Sequence, residues 1–394
     1  MIKLVIYTEN YFPGGLERFI FDLINGGLFD VHVIVNSENT RVVEFVKSRN
    51  INYSIIELSG FKLKIKENNF YNKFVKVFNF ILHYFSMISN YFKIKNILKN
   101  MVNYENIMIV NGGYPAALSC FTTAIAAKKL GFTKVGLSVL SSPSSNYSNI
   151  LFKLFQSMID SISDKFIDFY IPNSKDIKFK LISDVNIDSQ KINVVYTGVR
   201  LQKELEVTNE LEYADGIINR LDNDVWIAMV GLLGSTKRQD LLLEAITELD
   251  NQTKLILVGD GPNKEKLIQM ALELGIQNRV VFTGWMDNPE NIYRFVDMIV
   301  FLSDQEGLPY VISEAMSYKI PIIASSVGGI PEQIIDSHGG YIVDNNKNDV
   351  VKKIKSLKNN QVKQNEFINY SFKRVKNEFS ITKMNQRILE LYTK

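Results

Sequence analysis

The feature that most constrains this chain is an alternation of short apolar runs with stretches of helical spacing, which fills the first half, stops, and starts again. The first series of apolar runs is Lys3–Thr8, Val31–Val35, Ile55–Leu58, Ile107–Val110, Val135–Leu140, Phe166–Ile171 and Ile192–Tyr196, with helical spacing over Leu16–Leu28. The second is Trp226–Val230, Lys254–Val258, Val280–Phe282, Met298–Leu302 and Pro321–Ala324, with helical spacing over Gln239–Leu249 and Lys264–Leu274. Strand, helix and strand at this rhythm predict βαβ units and a parallel sheet. The polar, acidic stretch Gln202–Gly216 between the two series reads as a linker, and Asn365–Lys394 is helical in pattern. The expectation is two doubly wound α/β domains, whose ligands sit at the carboxyl ends of the strands. A chain of 394 residues is long enough for both.

Composition removes several function classes. The chain is 46% hydrophobic and 22% charged, which suits folded cores rather than long disorder. Its formal net charge of +3 is too balanced for a dedicated nucleic-acid binder. The single cysteine, Cys120, makes neither an intramolecular disulfide nor a cysteine zinc site, and reads as a buried small hydrophobe. This fits a reducing, cytoplasmic setting. His32, His83 and His338 are too far apart in sequence for metal spacing. The first residues, MIKLVIYTEN, read as a strand rather than a signal peptide. No window reaches the ~18 uninterrupted apolar residues of a membrane span.

Four segments carry chemistry. Glu306-Gly-Leu-Pro-Tyr-Val-Ile-Ser-Glu314 sets two glutamates around a loop that enters a helix. Such a strand–loop–helix junction turns backbone N–H groups outward and favours an anion such as a diphosphate. Carboxylates on either side can grip sugar hydroxyls. Upstream, Val230-Gly-Leu-Leu-Gly-Ser-Thr-Lys237-Arg238 joins a strand to a helix and brings two cations to the same sheet edge. Downstream stands Lys319-Ile-Pro-Ile-Ile-Ala-Ser-Ser-Val-Gly-Gly-Ile-Pro-Glu332. Near the start, Pro13-Gly14-Gly15-Leu16-Glu17 opens a helix after the first strand, with small residues that let a ligand approach the backbone. Asp222-Asn-Asp224, which mimics a metal signature, reads as a loop before a strand.

This ordered set resembles the family 4 retaining glycosyltransferases of the GT-B fold. Val195-Tyr-Thr-Gly-Val199, Leu255–Pro262 and Val281-Phe-Thr-Gly-Trp285 extend the likeness from Pro13 to Glu332. The resemblance implies two Rossmann-like domains facing a central cleft. Residues 1–200 would bind the acceptor and residues 201–375 the nucleotide sugar, with the C-terminal helix 376–394 packing back towards the first domain. It implies that Glu306 orients the donor sugar and that Lys237 neutralises the leaving diphosphate. Backbone N–H groups of Gly307, Leu308, Pro309, Tyr310 and Val311 (proline's nitrogen excepted) would hold sugar hydroxyls and diphosphate. Glu314 would bind the ribose. Gly259, Asp260, Gly284 and Trp285 lie where the family seats the base, and Gly14 and Gly15 would cap the diphosphate. The implied reaction needs neither metal nor cofactor, the nucleotide sugar being a co-substrate with a lean towards uracil.

Two positions depart from the family pattern. Where it often has an arginine before the lysine, this chain has Gly231 and Leu232, and Arg238 is the neighbouring cation. Where many members have an acceptor-side histidine, this chain has Ser138–Ser145, so that Ser141 and Ser142 become the acceptor candidates. The function implied is transfer of a hexose or N-acetylhexosamine to a growing, lipid-linked bacterial surface glycan. The alternatives are a non-catalytic GT-B partner subunit, a protein O-glycosyltransferase and a sugar-nucleotide epimerase.

The charge is uneven. Residues 1–200 carry 23 Lys/Arg against 15 Asp/Glu, and the remainder 22 against 27. Residues 61–100 hold eight lysines, one acid (Glu67) and ten aromatics. Phe70, Phe74, Phe78, Ile81, Phe85, Ile88 and Phe92 recur at helical spacing. Lysines beside such a stripe suit the anionic inner face of the cytoplasmic membrane, at ~1 kcal/mol each near the lipid. The same stripe also suits an ordinary helix packed on its sheet.

Overall fold

The computed structural model describes residues 1–11, 14–58, 85–115, 117–143, 150–202, 207–286 and 289–394. The chain divides into two compact units: Met1–Val195 with Asn385–Lys394, and Tyr196–Met384.

The first unit alternates strands and helices throughout. Its elements are β1 (Ile2–Thr8), α1 (Gly15–Asn25), β2 (Phe29–Asn36), α2 (Thr40–Ser48), β3 (Asn52–Ile56), α3 (85–99), β4 (Asn106–Asn111), α4 (Leu118–Lys129), β5 (Lys134–Val139), α5 (Ile150–Asp164), β6 (Phe169–Pro172) and α6 (Lys175–Ser183). The strands pair in parallel in the order β3-β2-β1-β4-β5-β6. Val5 is in register with His32 on one side and Ile107 on the other. The order reverses between β1 and β4, which makes their carboxyl ends the switch point of this sheet. Leu4–Thr8 are all buried, as expected of a strand covered on both faces.

Local chemistry explains where elements stop. The helix expected over Leu16–Leu28 ends at Asn25, because the Gly26-Gly27 pair caps it, Gly26 N–H donating to Asp22 O at 3.2 Å. The run Ile192–Tyr196 is not a strand. Ile192 makes one bridge to Tyr170, and the edge strand it would extend is four residues long and ends in Pro172, which has no N–H to donate.

The second unit opens with an antiparallel hairpin, β7 (Glu210–Tyr213) and β8 (Gly216–Asn219), within and just beyond the stretch read from sequence as a linker. Leu211 is buried and Thr208 N–H donates to Arg294 O at 3.1 Å, so this segment is part of the second unit rather than a free connection. There follow β9 (Val225–Val230), α7 (Gln239–Thr247), β10 (Thr253–Val258), α8 (Lys264–Glu273), β11 (Val280–Gly284), α9 (Glu290–Phe295), β12 (Met298–Phe301), α10 (Tyr310–Ser317), β13 (Ile322–Ser325), α11 (Ile330–Gln333), β14 (Tyr341–Val343), α12 (Lys347–Lys358), α13 (Gln361–Glu378) and α14 (Ile381–Thr393). The sheet order β11-β10-β9-β12-β13-β14 repeats that of the first unit, again all parallel. Its switch point lies between β9 and β12.

The last helix changes allegiance along its length, its residues from Asn385 onward belonging to the first unit. Asn385 Nδ2 donates to Asp22 O at 3.1 Å and Tyr392 Oη to Ile107 O at 3.1 Å. The Tyr392 ring also meets Phe169 edge-on, with centroids 5.1 Å apart. No helix among the described residues is long and apolar enough to cross a membrane.

Candidate functional site

The loops that leave β9 and β12 face each other across the switch point of the second sheet. Their backbones are laced together: Asp304 N–H donates to Thr236 O at 2.8 Å, Ser303 Oγ donates to Thr236 O at 3.1 Å, and Lys237 and Ser303 form an isolated bridge. Lys237 Nζ is thereby set against the Glu306 carboxylate in an ion pair whose two side chains are largely buried. The same ammonium lies 4.8 Å from the centroid of the Phe301 ring. Removing both charges from water is costly, so the pair is weak evidence for a gain in stability.

Arg238 points elsewhere. Its guanidinium meets Asp240 at 3.2 Å and Asp304 at 3.5 Å, and the hydrogen bond it donates to Asp240 raises its pKa above the usual arginine value. Asn345 Nδ2 ties the same corner by donating to Ser303 O at 2.9 Å and Asp304 Oδ1 at 3.0 Å.

The neighbouring loops fit together because glycine stands where backbones meet. A Cβ on Gly259, whose φ is +134°, would lie 2.1 Å from Gly231 O. One on Gly328, φ +54°, would lie 2.2 Å from Glu306 O. Both values are far inside contact distance and both φ values are in the region that favours glycine. Hydrogen bonds close the nest: Gly231 N–H to Val258 O at 2.9 Å, Gly259 N–H to Gly284 O at 2.9 Å, Leu233 N–H to Asp260 O at 2.9 Å and Gly329 N–H to Gly307 O at 2.7 Å. Asp260 and Trp285 stand at the rim, Asp260 within 3.8 Å of Lys264 Nζ and Trp285 52% exposed.

Gly307, Leu308 and Pro309 lead into α10, with Pro309 at its cap and Tyr310 and Val311 in its first turn. The first N–H groups of a helix have no partner inside it and carry the positive end of its dipole. One turn on, Glu314 is only 9% exposed, and Tyr293 Oη donates to its Oε2 at 2.6 Å. Tyr293 carries no local sequence signal; only the packing of α9 against α10 reveals it.

Gly14, Gly15, Ser141 and Ser142 belong to the first unit. Gly14 is extended and caps α1, and a Cβ there would meet nothing within 4 Å. In the first turn Glu17 is buried; burial raises its pKa, against Arg41 at 3.8 Å. Ser141 is exposed, whereas Ser142 is buried and accepts from Lys180 Nζ at 3.1 Å. Close to the end of β1, Glu9 accepts from Tyr11 Oη at 2.7 Å and from Ser119 Oγ. Burial, and then the charge of Glu9, raises the pKa of the Cys120 thiol, as suits an inert core cysteine. Asp222–Asp224 form a tight turn with Asn223 at φ +71°.

Residues 61–84 of the basic aromatic segment lie outside the described residues. In its described part, α3 has two apolar faces. Ile94 and Leu98 are buried against the sheet, while Phe85, Ile88 and Phe92 are 61%, 59% and 63% exposed. Lys93 Nζ donates to Glu57 O at 2.8 Å, and Lys95 Nζ lies 5.6 Å from the centroid of the Tyr91 ring.

Residues 215–374 match the family model for group 1 glycosyl transferases. Over 99 residues the chain is 39% identical to the N-acetyl-alpha-D-glucosaminyl L-malate synthase of Bacillus anthracis, a match that spans 25% of this chain and 26% of that one. It is 24% identical over 366 residues to the N-acetylgalactosamine-N,N'-diacetylbacillosaminyl-diphospho-undecaprenol 4-alpha-N-acetylgalactosaminyltransferase of Campylobacter jejuni, covering 91% of this chain and 90% of that one. Among solved structures, HepE of Anabaena in complex with UDP shares the whole fold, with a TM-score of 0.77 at 17% identity and full coverage of both chains. The fold is therefore GT-B, and the family model and the relatives support a glycosyltransferase.

Proposed function

We propose that this chain transfers a hexose or N-acetylhexosamine from a nucleoside-diphosphate sugar, a UDP-sugar first among them, to a lipid-linked glycan of a bacterial surface polysaccharide, with retention at the anomeric carbon. The observation that carries this reading is the Lys237–Glu306 pair at the second sheet's switch point, beside the α10 N-terminus and Glu314. The Campylobacter jejuni relative, whose name specifies a diphospho-undecaprenol acceptor, and HepE, which was solved with UDP, support acceptor and donor respectively.

The chemistry follows from where charge grows. The bond from the anomeric carbon to the diphosphate oxygen breaks, and its electron pair stays on phosphate. Lys237 and the N–H groups at the start of α10 stabilise that charge. In this reading an acceptor hydroxyl attacks on the face that the nucleotide leaves, its oxygen bonds to the anomeric carbon and its proton passes to the departing phosphate. Glu306 orients the sugar, and Glu314 holds the ribose hydroxyls. Gly259, Asp260, Gly284 and Trp285 border the base, while Gly14 and Gly15 leave room for the diphosphate. With cationic and dipolar groups meeting the phosphate charge, no metal is required, and transfer persists in EDTA.

The reading also includes peripheral attachment to the cytoplasmic face of the membrane. Phe85, Ile88 and Phe92, with the lysines of the same segment, would rest on anionic lipid. Vesicles containing phosphatidylglycerol should sediment the protein at low salt and release it at high salt; failure to bind them would remove this part.

Calorimetric titration with UDP, GDP, ADP and dTDP tests the whole reading. Selective binding of one, weakened but still measurable in Glu314→Ala, is the expected result. Binding of none would leave the non-catalytic subunit as the better account.

A further inference from the structure

Tyr293 is buried, yet its hydroxyl makes a short polar contact instead of being replaced by phenylalanine. Its Oη donates to Glu314 Oε2 at 2.6 Å, within the ~2.5–2.7 Å range of a charge-assisted O–H···O⁻ bond. The ring cannot swing away. It stacks on Tyr318, with centroids 5.1 Å apart and an interplanar angle of 27°, and Tyr318 is the residue that ends α10. The phenol and the carboxylate are thus fixed to the same short helix from two sides.

A glutamate has three rotatable side-chain bonds, and ordering it at the moment of binding lowers affinity. A partner that fixes the carboxylate beforehand removes that cost. A carboxylate offers about four acceptor positions, and the hydrogen bond from tyrosine occupies one of them. We propose that Tyr293 is a positioning residue of the donor site: it holds Glu314 in one rotamer and thereby sharpens recognition of the ribose hydroxyls. This rests on the assignment of Glu314 to the ribose. Tyr293 itself touches no reacting atom and acts only through Glu314.

The test is a double-mutant cycle read by calorimetry on the full chain. The probes are whichever of UDP, GDP and ADP the wild-type protein binds most tightly, and the 2′-deoxy form of the same nucleotide. Tyr293→Phe keeps the ring stack and removes the hydroxyl that donates to Glu314. It should weaken the ribonucleotide about 5- to 20-fold and the deoxynucleotide less, so that the preference for the 2′-hydroxyl shrinks. In a Glu314→Ala background the same change should have no further effect. Because the preference is a ratio within one variant, a change in folding stability does not enter it. Unchanged affinity in Tyr293→Phe, or an effect that persists undiminished without Glu314, would overturn the positioning role while leaving the ribose assignment intact. Unchanged affinity in Glu314→Ala, or no nucleotide bound at all, would overturn the ribose assignment and this inference together.

Discussion

The two units present the same sheet with opposite edges. Each has six parallel strands in one order, and each has a switch point beside its first strand. At the second unit's edge stand a buried cation and carboxylate, Lys237 and Glu306, on loops nested through Gly259 and Gly328. At the first unit's edge stand hydroxyls and amides, including Thr8, Asn111, Ser119, Ser138 and Asn173, and the ends of β1 and β4 there carry one carboxylate, Glu9, engaged by Ser119 and Tyr11. The fold is shared, and the chemistry sits in the loops grafted onto it. In the proposed reading, the edge that carries a buried lysine suits a diphosphate, and the edge with hydroxyls, amides and Glu9 suits the hydroxyl-rich surface of a sugar.

The sharpest way to break this comparison is to disarm each edge in turn. Lys237→Met should lower kcat by about 100- to 1,000-fold, the scale of losing one group that stabilises developing charge. Ser142→Ala should cost less than about tenfold, the scale of one neutral hydrogen bond, and should appear mainly in KM for the acceptor. Steady-state kinetics with both substrates varied distinguishes them, and equal losses in kcat would mean that the two edges share the phosphate chemistry.

Glycine gives the next contrast. Gly259→Ala puts a Cβ 2.1 Å from Gly231 O at φ +134°, and should destabilise the protein by about 2–4 kcal/mol from overpacking and backbone strain. Gly14→Ala meets open space and should change stability by less than about 1 kcal/mol, while weakening the diphosphate nucleotide. Denaturant melts and nucleotide titration of both variants separate a glycine kept for loop nesting from one kept for a ligand.

Arg238→Ala sharpens the picture within the charged edge. Because its guanidinium is engaged by Asp240 and Asp304, activity should fall less than about tenfold. A loss equal to that of Lys237→Met would give Arg238 the phosphate after all.

The smallest effect concerns the first unit alone. Asp160 is buried and accepts from Gln156 Nε2 at 2.8 Å, and burial raises its pKa. A carboxyl with a raised folded-state pKa favours the native state when protonated, so its penalty is absent in acid and grows as pH rises through the folded value. Asp160→Asn keeps an acceptor for Gln156 and should raise the melting temperature at neutral pH, with the gain vanishing in acid. A pH-independent gain would place its origin elsewhere.

Several features were legible without coordinates because they are local. A period-two or unbroken apolar run dictates a strand, a helical stripe dictates a helix, and their alternation dictates a parallel doubly wound sheet; the strands at Ile107–Val110 and Lys254–Val258 differ from those found by one residue at most ends. Glycines after strands marked the nested loops, and the two glutamates of the 306–314 segment marked the charged edge. Other features depended on what lay nearby in space. The run Ile192–Tyr196 has strand composition, but its would-be neighbour is short and ends in proline, so the pairing stops at one bridge and two backbone hydrogen bonds, from Asn193 N–H to Tyr170 O and from Val195 N–H to Pro172 O. The polar stretch after Gln202 contains a hairpin because Leu211 finds a core and Thr208 finds Arg294 O. Lys237 and Arg238 are adjacent and chemically alike, yet one meets Glu306 and the other Asp240 and Asp304. Tyr293 meets Glu314 across 21 residues, a partnership that only the packing of α9 beside α10 creates. Sequence determined most of the strands, the parallel sheets and the kinds of charge at their edges, because those follow from periodicity and residue chemistry. The tertiary structure decided which charge faces which, because a side chain's partner is set by distance and direction, and neither is written in the order of residues.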